Sequence, residues 1–372
     1  MITGKKILVV ATVDSMIGCF LLPHIKRLQQ AGNTVECACH ETGFWFKEMA
    51  DSGLVVHEIN FAKNPLHPRN IKAQKQLDNL VKNGNYNLIH CQTPVGSVLA
   101  RRVAKKYKIP VIYVAHGFHF FKEAPLKNKL IFKPIEKHYA KYTDVLVTMN
   151  NEDYIASKKM KAKHKFKVSG IGYDSSKFTK FNKSELDELK KELNVEANDV
   201  VMVSVGELNG NKNHLAILKS LTRLANPNLK YFICGRGDRK EEYEKFIKKH
   251  NLTDNVKLLG YRRDINKILS ITDIFAMPSL REGLPMSMIE AMNFGIPMIA
   301  YNIRGCNDLI KHGENGYLVD RKEKYPFDAE ILKLVNDKNL RQKMGAKSLD
   351  NAKEYSIENV LAQFDEIYKV IE

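Results

Sequence analysis

No apolar stretch of the chain reaches the roughly 18 residues needed to cross a bilayer, so the sequence offers no membrane span. The opening "KKILVVATVDS" joins basic residues to an apolar run too short for a secretory signal, and it has no cleavage site. It reads as a first buried strand, and a cytoplasmic location is expected. Cysteine is scarce and poorly spaced for metal. Cys19, Cys37, Cys39, Cys91, Cys234 and Cys306 include one C-x-C but no second pair to complete a zinc site. Buried reduced thiols are expected instead. Several chemical signatures are missing too. "GRGDRK" (235–240) and "GIGYDS" (170–175) each lack the third glycine of a dinucleotide fingerprint, and neither follows the first strand. There is no P-loop, no G-x-S-x-G elbow and no D-x-D to hold a metal-bound diphosphate.

Acidic residues are short in one half only. Across the chain 59 Lys and Arg face 42 Asp and Glu, a formal net charge of +17. Residues 1–178 hold 28 basic against 13 acidic residues, whereas the remaining 194 hold 31 against 29. Nucleic acid, an anionic lipid surface or an acidic substrate each suit the basic half. The competing reading is a lysine-rich surface that is merely solvated.

The 372 residues are too many for one ordinary core and imply two domains. Short apolar runs alternate with amphipathic stretches: "KILVVAT", "TVECACH", "VVHEIN", "LIHCQ", "VIYVAHG" and "DVLVTMN". That alternation predicts a mostly parallel sheet covered by helices. The pattern restarts at "VVMVSVGE" and continues through "KYFICGRG", "VKLLGY", "DIFAMPS" and "PMIAYN". Between the two series lies a polar stretch, where Ser184 and Asp187 make a capping box for "ELDELKKEL". The expected domains are 1–178, 179–354 and a C-terminal helix over 355–372 that packs back toward the first. Two doubly wound halves place a ligand cleft at the carboxyl ends of their strands.

"LREGLPMSMIEAMNFGIP" (280–297) sits at such an end. Pro285 suits the first position of a helix, Gly295 can end it and Pro297 stops it. Glu282 then lies on a strand-to-helix loop and Glu290 inside the helix. Between them the free N–H groups of a helix N-terminus favour an anion. His116, in "AHGFHFF", ends a strand of the first half and can face the cleft, although a lone histidine is more often structural.

Together these residues resemble the family-4 retaining glycosyltransferases of GT-B fold, in the branch that builds bacterial capsular and other surface polysaccharides. The resemblance runs through "EGLPMSMIE", "VSVGELNGNKNH" (203–214), "AHGFHFF", "NNEDY" (150–154), "GIGYD" and "NIRGCNDLI…GENGYLV" (302–319). It implies two Rossmann-like α/β domains facing each other across a cleft, the first for the acceptor and the second for the nucleotide sugar. It further implies that Glu282 holds hydroxyls of the donor sugar, that Glu290 holds the ribose, and that the Gly283 and Leu284 amides meet the diphosphate. Lys212 falls where the family places a phosphate-binding lysine. Tyr261 and Arg262 fall near the base, and Ile17 and Gly18 where backbone approaches the ligands. His116 would position the donor sugar. Five residues before Lys212 the family often has an arginine, where this chain has Glu207. Arg281 or Arg236 would then supply the second cation. No metal and no cofactor are implied beyond the donor, a UDP-sugar.

The implied acceptor is a polyprenyl-diphosphate-linked or other glycan, reached by peripheral binding at the inner face of the cell membrane. Residues 122–167 hold 12 lysines against 5 acids. "HFFKEAPLKNKLIFKPIEKHY" interleaves Phe120, Phe121, Leu126, Leu130, Ile131 and Phe132 with Lys122, Lys127, Lys129 and Lys133, which suits an anionic bilayer surface. Two other classes remain open on sequence. A UDP-sugar 2-epimerase of the same fold would release a free sugar nucleotide without an acceptor. A basic nucleic-acid-binding protein would need a binding motif, and the chain has none.

Overall fold

The computed structural model describes residues 1–177 and 181–371. They form two compact units. The first comprises residues 1–172 with the C-terminal helix Ile357–Lys369, and the second runs from Tyr173 to Ser356. The boundary expected at 178/179 lies outside the described residues, and the division observed falls between Gly172 and Tyr173.

The strands of the first unit are β1 (Lys6–Val13), β2 (Thr34–His40), β3 (Val55–Glu58), β4 (Leu88–Gln92), β5 (Val111–Ala115), β6 (Val145–Thr148) and β7 (His164–Lys167). They lie in the order β3-β2-β1-β4-β5-β6-β7, all parallel. The second unit has β8 (Val200–Val205), β9 (Leu229–Cys234), β10 (Val256–Gly260), β11 (Ile274–Met277), β12 (Met298–Tyr301) and β13 (Gly316–Val319). Their order is β10-β9-β8-β11-β12-β13, again all parallel. Both sheets therefore have the doubly wound order, with the order of strand addition reversing beside their first strand. Helices cover the faces, which is why central strands such as β4, β5, β6 and β11 are buried along their whole length. Leu8, Val10, Ile89, Val111 and Leu146 lie in the core of the first unit. Met202, Ile217, Phe275, Ile299 and Phe327 lie in the core of the second.

Local signals set most element ends. The helix Met286–Asn293 stops at a left-handed Gly295 (φ +66°), with Gly295 N–H donating to Met292 O and Ile296 N–H to Ala291 O. Pro285 is its cap, one residue outside the expected first turn. The capping box expected at Ser184 and Asp187 sits two residues upstream. Asn182 Oδ1 accepts from Glu185 N at 2.9 Å, and Glu185 Oε2 accepts from Asn182 N at 2.8 Å. Asn182 wins because its extended backbone lets the helix begin at Lys183, before the apolar periodicity starts.

The helix Leu126–Ala140 is tied down from within. Arg101, 1% exposed, donates to Glu136 Oε2 at 3.0 Å and to Ser97 O at 3.1 Å, and its guanidinium lies 4.1 Å above the Tyr113 ring. Tyr113 Oη completes the carboxylate at 3.0 Å. With that side pinned, Leu126, Leu130 and Ile131 are left 70%, 66% and 54% exposed. Phe120 is instead buried and stacked on Phe118 at 4.8 Å, while Phe121 and Phe132 are partly buried. Lys129 Nζ donates to Lys122 O at 2.5 Å. Among the described residues no helix is long and apolar enough to cross a membrane.

Candidate functional site

In the second unit the loops leaving β8, β9, β11 and β12 converge at the carboxyl end of the sheet, at the reversal of strand order. Glycine makes that convergence possible. A Cβ on Gly235 would stand 1.9 Å from Gly206 O, and one on Gly237 2.2 Å from Leu208 O. Backbone bonds join the same loops: Gly206 N to Cys234 O, Leu208 N to Arg236 O, and Leu280 N to Asn211 O. Gly305, at φ +80°, brings the loop after β12 against Gly283, whose carbonyl oxygen lies 2.3 Å from where a Cβ on residue 305 would be.

Lys212 and Glu282 meet on this platform. Lys212 Nζ donates to Glu282 Oε1 at 2.8 Å, although 70 residues separate them in sequence. The lysine stem lies over Gly206, where a Cβ would stand 3.0 Å from Lys212 Cε. Asn209 Oδ1 accepts from Lys212 N at 2.9 Å and fixes the turn. On the other side Arg304, which is buried, donates from Nε to Glu282 O at 2.9 Å. Asn211 Nδ2 donates to Arg281 O at 3.0 Å. A cation and a carboxylate are thus held in contact at the entry to helix Met286–Asn293. The helix dipole makes such an entry receptive to an anion.

Glu290 projects from that helix and is mostly buried, and burial pushes its carboxyl up to about 7. Tyr173 lies near enough for that carboxylate to help raise the phenol, after burial. A solvated helix face would not behave in this way. Tyr261 is 64% exposed, with the Arg236 guanidinium 5.6 Å from its ring centre. Arg262 binds Asp264 through Nε and Nη2 at 2.8 and 2.7 Å, and Glu192 through Nη1 at 2.8 Å. Glu207 Oε2 accepts from Asn209 Nδ2 at 2.7 Å, and Arg281 and Arg236 lie at the surface.

In the first unit His116 follows β5, and its Nε2 contacts Gln92 Oε1 at 2.5 Å. Burial, with a lesser contribution from His24, lowers its pKa to about 4, so it is neutral near pH 7. Gly18 packs against a neighbouring ring. It sits in a π-turn, Ile17–Leu21, and a Cβ there would stand 2.5 Å from Trp45 Cε3. Thr93 follows Gln92 at φ +67°, a costly conformation for a β-branched residue, and its hydroxyl lies 2.7 Å from that of Thr12. Sequence reasoning gave no role to Arg304, Asn211, Gln92 or Thr93. Arg304 and Asn211 carried a signal, from their places in "NIRGC" and "VSVGELNGNKNH".

Among the described residues no group of three or more His, Cys, Asp or Glu is placed to hold a metal ion. Five of the cysteines are buried and free, and Cys19 is exposed and free.

Residues 185–350 match the glycosyl transferases group 1 model, and residues 6–151 match the glycosyl transferase 4-like model. The chain is 32% identical over 372 residues to the putative glycosyltransferase EpsD of Bacillus subtilis, covering 98% of this chain and 96% of that protein. It is 30% identical to the UDP-Gal:alpha-D-GlcNAc-diphosphoundecaprenol alpha-1,3-galactosyltransferase of Escherichia coli, covering 82% and 81% of the two chains. In fold it is similar to Anabaena HepE, crystallised in complex with UDP, at a TM-score of 0.81 and 18% identity over 98% of this chain and 99% of that one.

Proposed function

Because the chain belongs to the glycosyltransferases, with the paired parallel-sheet units of the GT-B fold, we propose that it moves a sugar from a UDP-sugar to a lipid-linked glycan, with retention at the anomeric carbon, in the synthesis of a bacterial surface polysaccharide. One observation carries this reading: the Lys212–Glu282 pair, set on a glycine platform at the strand-order reversal, beside the amides of a helix entry.

The chemistry assigned to that pair follows from charge. Breaking the bond between the anomeric carbon and the diphosphate builds negative charge on the leaving oxygen. Lys212, released from Glu282 toward the phosphate, stabilises that charge more in the transition state than in the bound donor. Glu282, acceptor-only when ionised, then receives hydrogen bonds from sugar hydroxyls. Glu290 receives the two ribose hydroxyls, which requires it to ionise. Gly283 and Leu284 are assigned the diphosphate. His116 is assigned a sugar hydroxyl of the substrate, and Tyr261 the base. Arg262, whose guanidinium is oriented by Asp264 and Glu192, is assigned to the base beside Tyr261.

The lipid-diphosphate acceptor is supported by the names of two relatives, and the UDP donor by the name of the first. These are the Escherichia coli galactosyltransferase above and a diphospho-undecaprenol N-acetylgalactosaminyltransferase of Campylobacter jejuni, 25% identical over 92% of this chain. Such an acceptor lies in a bilayer, and the exposed Leu126, Leu130 and Ile131 among Lys127, Lys133 and Lys137 suit the anionic surface of one. The test is incubation with a panel of sugar nucleotides and polyprenyl-diphosphate-linked acceptors, read by mass spectrometry. Acceptor heavier by one sugar residue, with UDP released, supports the proposal. An epimerised sugar nucleotide formed without acceptor would replace it.

A further inference from the structure

Four side chains of the first unit form an unbroken polar row. Tyr368, on the C-terminal helix, has its Oη 2.9 Å from His90 Nδ1. Gln92 Nε2 lies 3.5 Å from His90 Nε2, and Gln92 Oε1 meets His116 Nε2 at 2.5 Å. His90 and Gln92 share one face of β4, two residues apart, and His116 follows the neighbouring β5. Tyr368, His90 and Gln92 are all buried. Their polar atoms therefore have to be satisfied from within the row.

An amide gives the row a direction. Its oxygen only accepts and its nitrogen only donates. Facing Gln92 Oε1, His116 carries its proton on Nε2. Facing the Gln92 amide nitrogen, His90 Nε2 is a bare lone pair, so its proton sits on Nδ1, toward the Tyr368 oxygen. The consequence appears at the far end, where His116 Nδ1 is a lone pair that can only accept. We propose that Tyr368, His90 and Gln92 are positioning residues that hold His116 as its Nε2–H tautomer, so that Nδ1 accepts a hydrogen bond from a sugar hydroxyl of the substrate. This rests on the substrate contact assigned to His116 above. Burial keeps the row neutral: it lowers His90 to about 3 and His116 to about 4, with His24 adding to both. His24 is itself held by Ile171 O at 2.7 Å and by the edge of Phe364, on the same helix as Tyr368. The C-terminal helix would thus act on the reaction through a hydrogen-bond row and without touching substrate.

Long-range proton–nitrogen NMR of the full-length chain, labelled with nitrogen-15 histidine, reads tautomers directly, and His116→Ala assigns the signal. The wild type should show His116 protonated on Nε2 at pH 7.5. Gln92→Leu should return it to a mixture of tautomers and lower kcat roughly tenfold or more, with UDP affinity unchanged. Gln92→Glu, which keeps an acceptor oxygen in place, should restore the tautomer and part of kcat. Tyr368→Phe should move both readouts in the same direction by less. These two smaller changes keep the test open if Gln92→Leu fails to fold. His116 protonated on Nδ1 in the wild type, or a tautomer unmoved by Gln92→Leu, would overturn the row. A Gln92→Leu loss of the same size in a His116→Ala background would overturn it too. Wild-type transfer by His116→Ala would instead overturn the substrate contact, whatever the spectra show.

Discussion

Glu290 shows how a single residue can be tested apart from the fold. Its carboxyl is raised to about 7 by burial, and the contact proposed for it requires the charged form. Nucleotide binding should therefore release a proton below pH 7, and UDP affinity should rise as pH climbs toward that value, by up to about tenfold per unit. Calorimetry of wild type and Glu290→Gln over pH 5.5–8 separates this from titration of the phosphates. The variant should bind more weakly at pH 8 and lose that part of the pH dependence. Parallel curves for the two proteins would return Glu290 to a structural role. The loop and helix that carry Glu282 and Glu290 were legible in the sequence because their signals are local, whereas Lys212 was singled out by the family resemblance alone. Arg304 reaches Glu282 from the loop of another strand, and Tyr368 reaches His90 across 278 residues. No local pattern encodes either contact. The packing of Trp45 against Gly18 was hidden for the same reason, since the two lie apart in sequence.

Among the elements, helix Leu126–Ala140 joins a buried ion pair on one side to an exposed mixture of apolar and basic residues on the other. Replacing Lys127, Lys133 and Lys137 with Glu should release the protein from vesicles containing anionic lipid while leaving UDP affinity unchanged. Cosedimentation unaffected by the three changes would make those lysines merely solvated. Arg101→Met should cost about 3–5 kcal/mol by urea unfolding, since it leaves Glu136 buried without its cation. A loss under about 1 kcal/mol would mean that the pair is effectively solvated. The strands that sequence patterning found are those with continuous apolar runs. It did not find β7, "HKFK", because a lysine-bearing edge strand lacks that run, nor β13, which has four residues and opens on Gly316. The capping box slipped by two residues because the helix starts ahead of its apolar stripe.

At the scale of the whole molecule, buried neutral histidines link both units to pH. His90 and His116 in the first unit and His214 in the second lie at about 3, 4 and 4, each depressed mainly by burial. A histidine whose folded pKa lies below the ordinary 6.5 contributes stability that is present above 6.5. That stability is lost as pH falls toward the folded value, because the unfolded chain takes up the proton first. Each should weaken the fold by about 1.4 kcal/mol per pH unit within that window. Urea unfolding at pH 7.5, 6 and 5 should show stability falling with acidity, and His90→Gln should flatten the slope. The doubly wound architecture was legible as two runs of alternating strand and helix, and that pattern pointed to the carboxyl ends of the strands, whereas the order of the strands had to be read from the structure. The Lys212–Glu282 contact was not legible, because each residue was assigned a different part of the donor. That contact now carries the functional account, so the decisive measurement is the transfer kinetics of Lys212→Ala with the identified donor and acceptor. The account predicts a fall in kcat of about a hundredfold or more, with UDP affinity changed by less than about tenfold. Wild-type kcat, or a loss confined to KM, would contradict it.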